Sequence, residues 1–473
     1  MRRYGRWALK LMFWILGLLL TLAVAWLATQ TYYKLKPSAL SPRTIALNEQ
    51  AARLPRDTES SLRLYGLFAP RELDPVAFGR CRLAEHRKAE VLRKKLEEEN
   101  LVAEDNFESQ WAAHSKESAL LENACAQGFT PLQPTVPQSP GITPATTTSE
   151  WQALRKLTPD PILIQRAEAI WANPDLALVG ETTTVQNYGG LQYVRQWRLA
   201  QSLAEWESGD ASTAVQTWRN AIQSETTAAK GTLIDAMVAV VNLTRTALTM
   251  QQAASHSPPD DPTRYQQMLD SLSSIDSVVD ANEPIFLQEW LFKSSWINND
   301  VGLPPPPKHW SEHFATVLWQ LQTDQNDLLN AFALSNDCQA ATALSGALGE
   351  LPSEINQLDS LCSPWDSFTP LNLFSRNPGI KFIISGTIPD YTAYGTRIAD
   401  LRNLAAATRL TIEARRQGLQ GEALAHFVAE APENMRDIFS KAPFAYDPSQ
   451  RQLTIRLREK STVLGEGSYT LSL

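Results

Sequence analysis

One uninterrupted apolar run, Leu11-Met-Phe-Trp-Ile-Leu-Gly-Leu-Leu-Leu-Thr-Leu-Ala-Val-Ala-Trp-Leu-Ala28, constrains this chain more than any other stretch. It holds about 18 residues without a charge, and a helix rising about 1.5 Å per residue carries it roughly 27 Å, close to a bilayer's hydrocarbon thickness. Arg2, Arg3, Arg6 and Lys10 crowd its N-terminal side, whereas Lys34 and Lys36 follow several residues after its end. That asymmetry predicts a cytoplasmic N-terminus and sends the rest of the chain across the membrane. Trp7, Trp14, Trp26, Tyr32 and Tyr33 sit towards the ends, where aromatic rings favour the headgroup layer. A cleaved signal peptide is the competing reading, with Ala23-Val-Ala25 at the cleavage spacing. Against it, the apolar character continues through Trp26-Leu-Ala28. Either way the bulk of the chain is expected to be exported.

The remainder reads as folded protein. Of 473 residues, 43% are hydrophobic and 20% charged, which excludes a disordered chain. A net charge of −8 offers no basic footprint for nucleic acid. No second run approaches spanning length, and Val238-Ala-Val-Val-Asn-Leu243 reads as core.

Four cysteines, Cys81, Cys125, Cys338 and Cys362, suggest two disulfides in an exported chain. Residues 76–99 and 106–127 read as two helices around a break near Asn100, and Cys81 and Cys125 lie symmetrically about residue 103. Cys338 and Cys362 flank Glu350 in the same way, beside the turn-like Gly349-Glu-Leu-Pro352. A helical hairpin brings such positions within the short Cα separation a disulfide requires. Four buried free thiols are the alternative. No pair has zinc-knuckle or Cys-x-x-Cys spacing.

Taken in order, residues 1–10 form the cytoplasmic end, 11–30 the transmembrane helix and 31–60 a juxtamembrane segment leading away from the bilayer. Residues 61–129 form a charged helical hairpin that Asp74-Pro75 opens with an N-cap and a first-turn proline. The mixed charges of Arg93-Lys-Lys-Leu-Glu-Glu-Glu99 read as a solvated helix face. The Pro/Thr-rich stretch 130–149 reads as a surface loop or linker, and 150–440 as a helical domain. Within it, Leu199, Ala200, Leu203, Ala204 and Trp206 precede Gly209-Asp210, and Ala214, Val215, Trp218, Ala221 and Ile222 follow, which predicts an antiparallel helical hairpin. This unit resembles one tetratricopeptide repeat, but the recurrence at about 34 residues is missing. A helix over 231–254 turns Leu233, Ile234, Met237, Val238, Val241 and Leu248 inward. Val301-Gly-Leu-Pro-Pro-Pro-Pro-Lys308 reads as a stiff spacer. Residues 441–473 change to period two, with Phe444 to Tyr446, Leu453-Thr-Ile-Arg-Leu457 and Ser468 to Leu473 forming a small antiparallel sheet around the turn Asp447-Pro-Ser-Gln450.

Several pieces together carry a resemblance: Leu203-Ala-Glu-Trp-Glu-Ser-Gly-Asp210, Gly231-Thr-Leu-Ile-Asp-Ala-Met237, Asn377-Pro-Gly-Ile-Lys381 with Pro389-Asp-Tyr391, the helix from Arg397 to Gln417, and Asp437-Ile-Phe-Ser-Lys-Ala-Pro-Phe-Ala-Tyr446. In this order the chain resembles a broad set of uncharacterised bacterial single-pass inner-membrane and envelope proteins. The resemblance implies location and architecture, and it carries no catalytic residues.

His309-Trp-Ser-Glu-His313 is the one segment with a chemical pattern. As H-x-x-E-H, it sets His309 and His313 one helical turn apart as zinc ligands, with Glu312 to activate water. A third ligand at the usual spacing is missing, and Glu312 near a helix start also fits the helix dipole. No Walker A loop, Gly-x-Gly-x-x-Gly or Gly-x-Ser-x-Gly occurs, so neither nucleotide binding nor a serine hydrolase has support. Fourteen tryptophans suit core packing, with a ligand groove as the alternative.

The expectation is therefore a mainly α chain: an N-terminal transmembrane helix, an irregular helical bundle with hairpins, and a small C-terminal antiparallel β element. A non-enzymatic envelope scaffold or protein-binding module is the leading reading, with the membrane and another envelope protein as partners and no cofactor. A zinc hydrolase built on His309, Glu312 and His313 is the alternative.

Overall fold

In the computed structural model, the described residues are 2–98, 124–132, 141–176, 188–256, 262–299, 324–349, 391–458, 463–465 and 467–473. Helix α1 (Arg2–Leu35) contains the apolar run. Its segment Lys10–Tyr33 has mean hydropathy 2.4, and none of its most apolar window is buried against protein. Three of its hydroxyls are paired within the helix, those of Thr21, Thr29 and Thr31, which donate to the carbonyls four residues back at 2.8 Å. A lipid environment demands that internal pairing.

Short capped helices follow. Ser41 caps α2 (Pro42–Ala52), and Thr58 caps α3 (Glu59–Tyr65). In α4 (Pro75–Glu98), the Asp74 carboxylate accepts from the Ala77 amide at 2.8 Å, as the Asp-Pro signal predicts. Helices α3 and α4 cross at two glycines. A Cβ on Gly66 would stand 1.8 Å from the Pro75 carbonyl oxygen, and one on Gly79 would stand 2.0 Å from that of Leu62.

A capping box between Thr147 and Glu150 starts α5 (Thr148–Arg155), and Asp160 caps α6 (Pro161–Ala172). Just before α5, Ile142 is fully buried in the main core, so this end of the Pro/Thr-rich stretch packs against the body instead of lying on its surface. The expected hairpin is α7 (Tyr188–Glu207) packed on α8 (Ala211–Ala228), joined through Gly209 at φ +97° and capped by Asp210. Leu199, Ala200, Leu203, Trp206, Ala214, Val215, Trp218, Ala221 and Ile222 are buried as their spacing predicts.

Helix α9 (Leu233–His256) is also apolar enough to span a membrane, but 67% of its window is buried, so it is a core helix here. Of the expected inward positions Leu248 is buried, together with Ala236, Ala239, Val240, Leu243, Ala247 and Met250, whereas Leu233, Met237 and Val241 pack only at the edge of the core. The helix contacts α7, α8 and a later long helix at once, and alanines permit close approach on several sides. A single amphipathic stripe does not describe such a helix.

Helix α10 (Pro262–Ser273) and a 3-10 turn (Ser274–Ala281) lead into α11 (Asn282–Asn299). Then come α12 (Gln325–Leu348), α13 (Tyr391–Arg416) and α14 (Gly421–Ala429). Helices α12 and α13 meet through Gly346 and Gly395, and a Cβ on Gly395 would lie 2.1 Å from the Ala343 carbonyl oxygen. The chain closes with β1 (Ala445–Asp447), β2 (Gln452–Arg456) and β3 (Ser468–Ser472), antiparallel in the order β1-β2-β3. Leu453 and Ile455 turn inward onto the main core, which places this sheet against the helices.

Candidate functional site at the junction of anchor and body

The 31–60 segment does not simply lead away from the bilayer. Residues 42–52 form α2, and the chain on either side of its start is strapped to α12. The Ser38 amide donates to Asp324 Oδ2 at 2.8 Å, and Asn326 Nδ2 donates back to the Ser38 carbonyl at 2.7 Å. Asn330 uses both ends of its amide. Its Oδ1 accepts from the Ser41 amide and the Thr44 hydroxyl, each at 2.8 Å, and its Nδ2 donates to the Ala39 carbonyl at 2.9 Å. Arg43 closes the strap with a two-pronged pair to Asp337, Nε to Oδ2 at 2.7 Å and Nη2 to Oδ1 at 2.6 Å. The Asp337 carboxylate raises the Arg43 guanidinium further above its usual basicity through that hydrogen bonding.

Beneath the polar strap lies a small apolar core. Leu47 and Ala51 of α2 pack with Trp290 of α11 and with Leu328, Leu329, Phe332 and Ala333 of α12. Trp290 is fully buried, and its indole N–H donates to Asn48 Oδ1 at 3.1 Å. Residues 37–41 lie in no helix or strand, so their backbone groups need outside partners, and Asp324, Asn326 and Asn330 supply them to Ser38, Ala39 and Ser41. The signal for this was present in the sequence as Asp324-Gln-Asn-Asp327 with Asn330 and Asp337, but nothing local connects those residues to Ser38 or Arg43.

A second polar cluster is buried inside the α7–α8 hairpin. Arg195 donates to Glu225 Oε1 through Nε at 3.1 Å and Nη2 at 2.7 Å, and to the Ser224 hydroxyl at 2.8 Å. Asn242 Nδ2 donates to the same Oε1 at 3.1 Å, and the Trp171 ring lies 3.8 Å from the guanidinium carbon. Desolvation lowers the Arg195 pKa, and Glu225 opposes that shift. This arrangement fixes a hairpin. It presents no exposed acid, base or nucleophile.

Cys81 and Cys125 form a disulfide with a Cα separation of 5.8 Å, the pairing their symmetric spacing predicts. Cys338, on α12, is disulfide-bonded as well, and Cys362 lies outside the described residues. His309, Glu312 and His313 lie outside the described residues too, as does the polyproline spacer before them. Among the described residues, no group of three or more His, Cys, Asp or Glu side chains is placed to hold a metal ion. Of the tryptophans, Trp151, Trp206, Trp218 and Trp290 are buried as core.

The chain is thus a mainly α-helical protein carrying one exposed N-terminal helix long and apolar enough to cross a membrane. No protein-family model, curated protein or solved structure matches it.

Proposed function

We propose that this protein is a single-pass anchor-and-scaffold of a bacterial cell envelope. Its N-terminus lies in the cytoplasm, its body lies in the periplasm, and it binds another envelope protein without catalysing a reaction. The observation that most supports this reading is α1, whose most apolar window is unburied and which is followed within three residues by a strap onto a disulfide-bearing body. The Cys81–Cys125 bond suits an oxidising compartment, and Arg2, Arg3, Arg6 and Lys10 suit a cytoplasmic start. A helical body with paired helices offers broad faces for protein contact.

Reporter fusions at the C-terminus test the topology. An export-dependent reporter should be active and a cytosol-dependent one silent, and the reverse pattern overturns the reading. Crosslinking in intact cells, followed by identification of the captured species, tests the binding role. A specific membrane-complex component is expected. Stoichiometric zinc in the purified full chain would favour the hydrolase instead.

A further inference from the structure

We infer that residues 36–48 act as a releasable brace, which holds the membrane anchor in a fixed pose on α12 and so couples movement of α1 to the helical core. The inference rests on the anchor reading above for its meaning in a cell, but the brace itself is a property of the chain.

A flexible juxtamembrane linker has solvated backbone and few contacts. This one has neither trait. Within seven residues, Ser38, Ala39, Ser41, Arg43 and Thr44 of the segment engage Asp324, Asn326, Asn330 and Asp337. From Ser38 at Asp324 to Arg43 at Asp337 the contacts run one way along α12 for more than three helical turns, and Thr44 turns back to Asn330. The brace therefore fixes direction as well as position. From α12 the path continues inward, because α12 packs closely on α13 through Gly346 and Gly395. Only residues 36 and 37 separate the end of α1 from the first braced residue, so a tilt of α1 has a short path to that helix pair.

The brace is also built to let go. Its outer bonds are hydrogen bonds plus one ion pair whose side chains remain 50% and 35% exposed, and such pairs are weak and screened by salt. The Leu47 and Trp290 cluster beneath stays packed when they open, so release need not unfold the body. With the outer bonds gone, residues 36–41 become a tether whose ends wander over roughly 13 Å.

Spin labels at Tyr32→Cys on α1 and Ala423→Cys on α14 would read this directly, in the full chain reconstituted into bilayer discs. Both positions are exposed, and no described cysteine is free to compete for the label. The unsubstituted brace should give one narrow distance distribution. Asn330→Ala removes three brace bonds while favouring helix in α12, so a distribution broader than the parent's reports weakening of the brace and not of the helix. Arg43→Asp should broaden the distribution too, and Arg43→Asp combined with Asp337→Arg should narrow it again. A broad distribution in the parent protein, or an Asn330→Ala distribution as narrow as the parent, overturns the brace. Alkaline extraction of native membranes separates the two ideas. Release of the chain into the soluble fraction would defeat the anchor reading, whatever the label distances show.

Discussion

Arg195 and Glu225 face each other across the α7–α8 hairpin with Nη2 and Oε1 2.7 Å apart, and each side chain is only 5% exposed. Two such charges are held out of water by mutual attraction and by the hydroxyl and carboxamide of Ser224 and Asn242. Removing one partner strands the other. Glu225→Ala is expected to destabilise the protein by about 3–5 kcal/mol in chemical denaturation of the full chain in detergent. The double substitution Arg195→Met, Glu225→Met should recover most of that loss, because the desolvation cost disappears with the charges.

The Cys81–Cys125 bond closes a loop with a sequence separation of 44. A cross-link of that span lowers unfolded-chain entropy by an amount worth roughly 4 kcal/mol. Cys81→Ser with Cys125→Ser should therefore lower the melting temperature clearly. Scans with and without reductant check this, and reductant should not lower the double variant further at this bond.

Gly395 and Gly189 should respond in opposite directions to the same substitution. At Gly395, alanine would place its Cβ 2.1 Å from the Ala343 carbonyl oxygen, whereas nothing lies within 4 Å of a Cβ at Gly189. Gly395→Ala is expected to destabilise by about 1–3 kcal/mol as α12 and α13 are forced apart. Gly189→Ala should be neutral or stabilising by up to about 1 kcal/mol. Paired denaturation curves distinguish them.

Lys293 is buried on α11 with its Nζ donating to Asn336 Oδ1 at 3.3 Å and Gln339 Oε1 at 3.0 Å. Burial lowers its pKa from 10.5 to about 8, with Glu289 opposing. The unfolded chain therefore binds this proton more tightly than the folded one. The contribution to stability is fully present above 10.5 and is lost as pH falls towards 8. Relative to Lys293→Met, the parent protein should lose up to roughly 3 kcal/mol between pH 10.5 and 8, and denaturation across that window measures it.

Much of the architecture was legible in local patterns. Charge-free length marked α1, Gly209-Asp210 marked the hairpin turn, and period-two alternation marked β2 and β3. Symmetric spacing about residue 103 pairs Cys81 with Cys125, and the two form a disulfide. The inward face of α9 agrees with expectation at Leu248 but not at Leu233, Met237 and Val241, since a helix enclosed by several neighbours buries alanines that hydropathy ranks low. The junction went unread because Ser38 and Asp324 are separated by 286 residues.

By itself, the sequence determined that the chain is mainly helical, that one long charge-free run is a helix, and where a hairpin turn and the closing strands fall. Caps, turns and hydrophobic runs act over a few residues, so neighbouring letters encode them fully. Only the tertiary structure decided that the juxtamembrane chain is strapped to α12 and that Glu225 rather than solvent answers Arg195. Those pairings join residues distant along the chain, and their energy comes from desolvation and geometry that exist only once the helices have packed.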